Sequence, residues 1–330
     1  MMIKQNNYFN DLYELLLRDF SQLEEAFIDL RYKNIQSEGA SSLSSKLENC
    51  LKIKNLDLNL YCNGVEDEGA YNLTSELNLC LNLTFLNIDL SENHIGPTGC
   101  LNLSLTLNKL ENLLTLNLNL SDNPIGDEGV QSLVSNSQNF QSLTSLNLQI
   151  TNCGICQQGA SFLGKSLVRI ATLQDLAINI STNSIKVQGL KDLCSPFFQN
   201  QKFQIKFDLD ARYNNTFEND EIDFQNIFSL NSNLKSLNLN LISIFQIINF
   251  GKCLVNCINL LTLSLEIYQN DFQDQLVGIE LCSALAQCKN LNSLFLSLEE
   301  GCGDYQFIEN FRQRCSKLKR LVNFVFYVFE

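Results

Sequence analysis

Leucines alternate with polar residues in short segments that recur along the chain. The clearest segment, residues 116–120, reads Leu-Asn-Leu-Asn-Leu. Segments of this kind open at Leu56, Leu86, Leu116, Leu146 and Leu176. A period of two predicts a β-strand with one face buried. After the strand at 116–120, Val130, Leu133 and Val134 recur at helical spacing, which predicts a helix whose apolar side packs on the strand.

Glycines set the length of the repeating unit. Six of them are evenly spaced along the chain (69 − 39 = 30, and so on): Gly39, Gly69, Gly99, Gly129, Gly159 and Gly189. Further strands are predicted to open near Ala26 and at Phe207, Leu237, Leu263, Leu294 and Leu321. Two of these steps are short (263 − 237 = 26; 321 − 294 = 27). The period predicts about eleven strand–helix units of about 30 residues, each too small to bury its own faces and therefore stacked on its neighbours.

Residues 113–129 carry the most complete copy of the unit, Leu-Leu-Thr-Leu-Asn-Leu-Asn-Leu-Ser-Asp-Asn-Pro-Ile-Gly-Asp-Glu-Gly. This copy resembles the leucine-rich repeat family, in its ribonuclease-inhibitor-like subgroup, whose loop reads Asn-x-Ile-Gly-x-x-Gly before a helix. It departs from the usual pattern by an extra x-Leu before the Asn, which lengthens the strand by two residues. The resemblance implies an α/β fold, a curved horseshoe solenoid with parallel strands on the concave face and helices on the convex face. The expected organisation is an N-terminal capping helix over 1–25, repeats over 26–316 and a C-terminal cap strand over 317–330.

Three features of the sequence have predicted structural roles: the loop asparagines, one glycine and the N-terminal segment. The loop asparagines 63, 93, 123 and 183 are short enough to bond backbone groups of the adjacent repeat. Gly129 is expected to let the loop turn close to the strand. Residues 8–20 place Phe9, Leu12, Leu16 and Phe20 along one helical face, which predicts the capping helix.

Thirteen cysteines raise the question of disulfides. Five recur in the motif Cys-x-x-Leu/Ile just before a strand: Cys50, Cys80, Cys257, Cys288 and Cys315. A cysteine in a constant position of a repeat is typical of a small buried apolar residue. Cys153-x-x-Cys156 resembles a redox or zinc motif, but Cys153 occupies the loop asparagine position and no second pair lies at zinc-site spacing. We therefore interpret both groups as structural.

The charge balance and the scarcity of reactive side chains narrow the chemistry. The chain has 23 Lys and Arg against 36 Asp and Glu, a net charge of −13, which argues against nucleic acid as a partner. Its one histidine, His94, is predicted to lie in a surface loop. The stretch 208–221 resembles a calcium loop, but Arg212 stands where an oxygen ligand is needed. No phosphate-binding glycine motif follows a strand. We expect no catalytic residue, no cofactor and no metal.

The compartment is predicted from what the sequence lacks. No apolar run approaches the ~20 residues needed to span a bilayer, so membrane insertion is not expected. The segment 1–20 does not resemble a signal peptide, so the expected location is cytoplasmic, with a cilium, the cytoskeleton or another cytosol-continuous compartment as possibilities. The Asn-x-Ser/Thr triplets are then by-products of the repeat.

One enzymatic relative is an alternative. Leucine-rich GTPase-activating proteins of the Ran type are similar in the Asn-x-Ile-Gly loops and place a catalytic Arg early in the helix. The matching positions here are Ser41, Ser42, Tyr71, Asn72, Leu101 and Asn102, without an Arg. A stoichiometric enzyme inhibitor is the other alternative. The favoured function is a non-catalytic interaction scaffold, which could be a subunit of a larger assembly.

The residues that alternate with the strand leucines, most of them polar, form the candidate partner-binding set. Its strand members are Asp57, Asn59, Phe85, Asn87, Asp89, Asn117, Asn119, Asn147, Asp208, Asp210, Asn238 and Asn240. These side chains are expected to point to solvent, with Lys206 almost the only cation among them. Together they suit a basic protein partner, whereas each position alone is better explained as part of a solvated sheet face.

A second contact with a partner is predicted in the shortened repeat between Leu237 and Leu263. Ile244 replaces the loop asparagine there, and Phe245 follows it. Such apolar groups are expected to be covered by the irregular segment 213–230 or by another protein or, alternatively, to be buried locally by a helix that starts early. The strand at 324–329 is expected to leave an edge that pairs readily with another chain.

Overall fold

The computed structural model describes residues 7–200, 206–214, 233–241, 254–267, 275–299 and 305–329. The chain divides into two compact units, residues 1–173 and 174–330. Each unit alternates strands with helices.

The described part of the first unit contains six strands that pair in parallel in chain order. The strands are β1 (Tyr8–Phe9), β2 (Glu25–Asp29), β3 (Asn55–Asn59), β4 (Phe85–Asp89), β5 (Thr115–Asn119) and β6 (Ser145–Gln149). The helices are α1 (Leu12–Leu16), α2 (Gln36–Leu47), α3 (Glu66–Leu77), α4 (Pro97–Leu107), α5 (Gly126–Val134) and α6 (Gln157–Leu167), with a 3-10 turn at Ser137–Asn139.

The second unit has the same architecture, again with parallel strands in chain order. Its strands are β7 (Asp175–Asn179), β8 (Lys206–Asp210), β9 (Ser236–Leu241), β10 (Thr262–Ile267), β11 (Ser293–Glu299) and β12 (Asn323–Phe329). Its described helices are α7 (Lys186–Gln199), α8 (Gln275–Gln287) and α9 (Tyr305–Ser316).

The strand register follows the leucines. Leu56 pairs with Leu86 and Leu86 with Leu116, and all three are buried. Alternation therefore places the leucines of the first unit in one core between its strands and helices, as the period of two predicts. In the second unit Leu237 pairs with Leu263, which confirms the shortened step between these two strands.

The last strand begins later than predicted. Leu294 pairs with Phe324, whereas the sequence analysis opened this strand at Leu321. The reason is an extra turn, in which the Leu321 amide donates to the Leu318 carbonyl at 3.0 Å. The predicted short step from Leu294 to Leu321 is therefore wrong, and β12 keeps the ordinary repeat spacing (324 − 294 = 30).

The N-terminal segment also differs from the prediction. Its described part contains the short strand Tyr8–Phe9 and the short helix Leu12–Leu16 rather than one capping helix. Phe9 and Phe20 are buried with their ring centroids 4.9 Å apart, and Leu15 lies in the core. The apolar residues thus cover the first repeat through a strand and a turn.

The periodic glycines bring adjacent helices together. Gly99 lies in α4, and a Cβ there would meet both Asp67 Oδ1 and Ile95 Cγ2 at 2.6 Å. The Gly99 amide donates to that Asp67 carboxylate at 2.9 Å, so a side chain of α3 caps the next helix. Gly129 was expected to approach the strand, but it lies in α5, where a Cβ would meet the Pro97 backbone of the preceding helix at 3.3 Å.

Loop asparagines join successive repeats through their amides. Asn93 is fully buried, and its Oδ1 accepts from the amides of Asn63 at 3.0 Å and Val65 at 3.1 Å. Its Nδ2 donates to the carbonyls of Leu60 and Ser91, each at 2.9 Å. The predicted bonding of the adjacent repeat is confirmed, and we call this series the asparagine ladder.

The ladder has one substituted member in the first unit. Asn63 and Asn123 bond the preceding repeat as Asn93 does. At the equivalent position Cys153 is buried, and its sulfur lies 3.3 Å from the Leu120 carbonyl oxygen. The structural interpretation of Cys153 is therefore confirmed.

In the second unit the ladder includes a residue that the sequence analysis did not assign to it. Asn183 donates to the Ile180 and Ser181 carbonyls at 3.0 Å. Asn214 is fully buried and accepts from the Ile185 amide at 3.3 Å. Asn214 follows Phe207 at the same interval at which Asn93 follows Leu86 (214 − 207 = 93 − 86), so the spacing could have revealed it.

The five motif cysteines are all buried, as predicted. Burial raises the pKa of Cys50 to about 12 and that of Cys80 to about 11. The Cys50 and Cys80 thiols are therefore neutral and unreactive at ordinary pH.

Candidate partner-binding face

The side chains that alternate with the core leucines form one face of the strands in each unit, which we call the strand face. Its positions fall into three rows, because each strand shows its first, third and fifth residues. In the first unit, the first row holds Glu25, Asn55, Phe85, Thr115 and Ser145. The middle row holds Phe27, Asp57, Asn87, Asn117 and Asn147. The third row holds Asp29, Asn59, Asp89, Asn119 and Gln149.

The strand face of the second unit is built in the same way. Its middle row includes Ala177, Asp208, Asn238, Ser264 and Phe295. Its third row includes Asn179, Asp210, Asn240 and Glu266. The register thus aligns the predicted strand residues into rows within each unit.

The third row has an internal role that the sequence analysis did not anticipate. The Oδ1 atoms of Asn59, Asp89 and Asn119 accept from the backbone amide two residues later, at 3.0 to 3.1 Å. Asn179 does the same with the amide of Ser181. These Asx turns fix the loops that leave β3, β4, β5 and β7. The extra two strand residues therefore place a turn-forming Asn or Asp at the strand end.

Asp210 is the clearest departure from the expectation that these side chains point to solvent. Only 7% of its surface is exposed. Its carboxylate pairs with the Arg212 guanidinium at 2.5 Å and accepts from the Arg212 amide at 3.2 Å. Asp29 and Arg31 form the same arrangement, with the ion pair at 2.8 Å. An acid two residues before an arginine at a strand end is the signal that could have predicted both pairs.

Hydrogen bonds between neighbouring strands organise the middle row. Asn87 Nδ2 donates to Asp57 Oδ1 at 2.8 Å, and Asn238 Nδ2 donates to Asp208 Oδ1 at 3.0 Å. Burial raises the pKa of Asp208, and the hydrogen bond from Asn238 opposes that rise. The Oδ1 atoms of Asn238 and Asn240 are buried, and no hydrogen-bond partner for either exists in the described part of the chain.

Two carboxylates on the first unit's strand face are bonded by neutral groups. Asp57 is half-buried and bonded by the Asn87 amide. Asp89 is half-buried and accepts from the hydroxyl and amide of Ser91. Within the described ranges neither carboxylate forms an ion pair. The register places Phe27 beside Asp57, so an aromatic ring adjoins the negative charge.

Some remaining members of the predicted partner-binding set lie on the strand face, and two lie outside the described residues. Phe85 is half-buried in the first row, and Asn117 and Asn147 are half-buried in the middle row. Ile244 and Phe245 lie outside the described residues. Lys206 is exposed at the start of β8, as expected.

The described residues also bear on metal binding, the single histidine and membrane insertion. Over the described ranges, no group of three His, Cys, Asp or Glu side chains could hold a metal ion. His94 is exposed in its loop with a φ of 57°, in line with the prediction. In those ranges no helix is both long enough and apolar enough to cross a membrane.

The positions compared with the Ran-type activators lie deeper in the helices than predicted. Ser41 and Ser42 are the sixth and seventh residues of α2, which begins at Gln36. Tyr71 likewise lies inside α3, which begins at Glu66. The described helices that follow repeat strands carry no Arg in their first turns.

A family model described as a leucine-rich repeat matches two stretches, residues 80–104 and 112–134. The first stretch contains β4 and the start of α4, and the second contains β5 and α5. Together with the parallel strands and the alternating helices, these matches identify leucine-rich repeats in this chain. No curated protein matches the sequence. Leucine-rich repeats generally serve as protein–protein interaction modules rather than as enzymes.

Proposed function

We propose that the chain is a non-catalytic interaction scaffold whose first-unit strand face binds a basic protein segment. The observation that carries the proposal is the environment of Asp57. Its carboxylate lies in the middle row, half-buried, and is bonded by the neutral Asn87 amide at 2.8 Å. A lysine or arginine from a partner would find there a negative charge that pairs with no cation of the described residues.

The neighbouring residues support the same class of partner. Phe27 pairs with Asp57 in the register, and Phe85 lies diagonally from it on β4. Aromatic faces attract ammonium and guanidinium groups and pack on their aliphatic stems. Asn117 and Asn147 continue the middle row with groups that bond a peptide backbone.

Of the predicted contact set, we assign direct contact mainly to the first and middle rows. Asn59, Asp89 and Asn119 are already bonded in Asx turns, so they contribute mostly by fixing the loops. Asp210 is excluded from direct contact by its burial against Arg212.

The test is a charge reversal on the full chain. The probe is a short fluorescent peptide rich in Lys and Arg, compared with a peptide in which Gln replaces each basic residue. Asp57→Lys should weaken binding of the basic peptide by about tenfold, because a half-buried attraction becomes a repulsion. Glu111→Lys makes the same charge change at an exposed turn and should leave binding unchanged. Equal affinity of both variants and wild type would refute the proposal.

The proposal extends to a second contact in the second unit. β12 pairs with β11 and with no other described strand. It exposes apolar surface, with Tyr327 65% and Val328 45% accessible. Such an edge supports pairing with another chain. Tyr327→Ser together with Val328→Lys should lower assembly, measured by sedimentation velocity, while the melting temperature changes little; a large loss of stability with normal assembly would contradict this contact.

We also place the repeats in the ribonuclease-inhibitor-like subgroup, on the basis of the loop motif in residues 123–129. A cytoplasmic location fits the many free thiols. Imaging the full chain with a fluorescent tag in its native source would test the location.

A further inference from the structure

Two buried cysteines of the second unit face each other. Cys282 lies in the middle of α8, and Cys315 is the penultimate residue of α9. Their sulfur atoms are 3.6 Å apart. Cys282 is 9% exposed and Cys315 is fully buried. Cys315 is predicted from the sequence to be a buried core residue, and that prediction did not include a second cysteine beside it.

The Cys315 thiol differs from other motif thiols in what it faces. In other repeats, the motif cysteine points at a backbone carbonyl of the preceding repeat: Cys80 at Leu47, 3.8 Å, and Cys288 at Leu254, 3.4 Å. The Cys315 sulfur instead faces the Cys282 sulfur.

The surroundings hold both helices in place. Arg320, in the turn after α9, donates to the carbonyls of Leu285 and Ala286 at the end of α8. Phe311 of α9 is buried against the ring of Phe326, with centroids 6.2 Å apart. The two sulfurs need only approach by about 1.6 Å to reach the length of a disulfide.

We propose that Cys282 and Cys315 are a dithiol pair that hydrogen peroxide converts to a disulfide linking α8 to α9. Cys282 is the attacking group because it is the more exposed of the two. The hydrogen bond from Cys315 lowers the pKa of Cys282, and the charge of Arg314 acts in the same direction. The pKa of Cys315 is raised, which keeps its proton on the sulfur until the second step.

The reaction balances with peroxide as the only oxidant. Cys282 loses its proton and its sulfur attacks one peroxide oxygen; the O–O bond breaks, and the leaving hydroxide takes up a proton as water. The resulting sulfenic acid is attacked by the Cys315 sulfur, which releases its proton. The S–O bond breaks, the S–S bond forms, and a second water leaves. The two thiols lose two electrons, and peroxide gains them.

The experiment treats the full chain with a small excess of hydrogen peroxide, blocks remaining thiols with iodoacetamide in denaturant, and maps peptides by mass spectrometry. The expected product is a peptide pair joined through Cys282 and Cys315 that dithiothreitol separates. Cys288→Ser is the matched control, since Cys288 is also buried but its sulfur lies 3.4 Å from the Ala284 carbonyl oxygen. That variant should keep the cross-link, whereas Cys282→Ser should lose it.

The order of attack is tested with dimedone, which traps sulfenic acids. The Cys315→Ser variant should accumulate dimedone adduct on Cys282, and the Cys282→Ser variant should show none on Cys315. Full alkylation of both cysteines after peroxide treatment of the folded wild type would overturn the proposal without reference to any variant. A joined pair containing a different cysteine would overturn it equally.

Discussion

Replacing Asn93 by alanine would test the asparagine ladder. The Asn93 side chain makes four hydrogen bonds at 2.9 to 3.1 Å from a fully buried position. A buried hydrogen bond contributes about 1 kcal/mol net, and a buried group left without a partner costs at least as much. Four such bonds correspond to about 4 kcal/mol.

The repeat in which Cys153 replaces the asparagine shows how much of the lost hydrogen bonding the backbone can recover. Where Cys153 replaces the ladder asparagine, the Ile125 amide bonds the Asn123 carbonyl at 2.8 Å. In the sibling loop, the Ile95 amide instead bonds the Asn123 side chain at 2.9 Å. One amide can therefore find a substitute, so we expect Asn93→Ala to lower the free energy of unfolding by about 3 kcal/mol.

The assay is urea unfolding followed by far-UV circular dichroism. Asn87→Ala is the control, because Asn87 lies on the strand face and donates a single side-chain bond, to Asp57. That control should cost less than about 1 kcal/mol. In the opposite direction, Cys153→Asn should stabilise the chain by restoring the ladder. The reasoning would be refuted if the free energies of unfolding of Asn93→Ala and Asn87→Ala lay within about 1 kcal/mol of each other.

The remaining predictions concern pH, packing, capping and catalysis. Burial raises the pKa of Cys50 and Cys194 from 9.0 to about 12, so below pH 9 both chain states keep the proton. Between pH 9 and 12 the unfolded state ionises first, and the free energy of unfolding, measured by denaturant titration, should fall by about 1 kcal/mol per thiol per pH unit. Gly99→Ala should cost about 1–3 kcal/mol, because its Cβ has no room beside Asp67; a neutral result in thermal unfolding would contradict the packing argument. Asp67→Ala should cost about 1 kcal/mol through loss of the cap, whereas Asp67→Asn should recover part of it in the same assay. Added to a Ran-type GTPase, the chain should leave the turnover rate unchanged, and an accelerated rate would reinstate the activator alternative.

The sequence pattern predicted the strands well because the buried leucines repeat at fixed spacing. Leu56, Leu86 and Leu116 occupy equivalent places in their strands, so one well-formed copy sufficed to place the others. The extra turn before β12 broke this rule, since Leu318 and Leu321 resemble a strand opening in spacing alone.

The candidate site was less predictable because alternation gives only the side of the strand on which a residue lies. It does not tell whether an Asn at the strand end faces a partner or accepts from the amide two residues later, as Asn59 does. Asp210 was misjudged for the same reason, because its burial depends on Arg212 folding back over it. The contact between Cys282 and Cys315 depends on side-chain positions in two helices, which the repeat period brings close but does not orient.

The Asx turns at the strand ends have a consequence for how binding specificity could diverge among chains of this kind. A substitution of a turn-forming residue such as Asp89 changes the conformation of a loop, whereas a substitution of Phe85 changes the surface offered, and one of Asp57 also removes its bond with Asn87. The first two rows can therefore vary between repeats without opening an Asx turn, and the third is constrained wherever its residue closes one. Specificity would accumulate in the first two rows, while the third would remain rich in Asn and Asp whatever the partner.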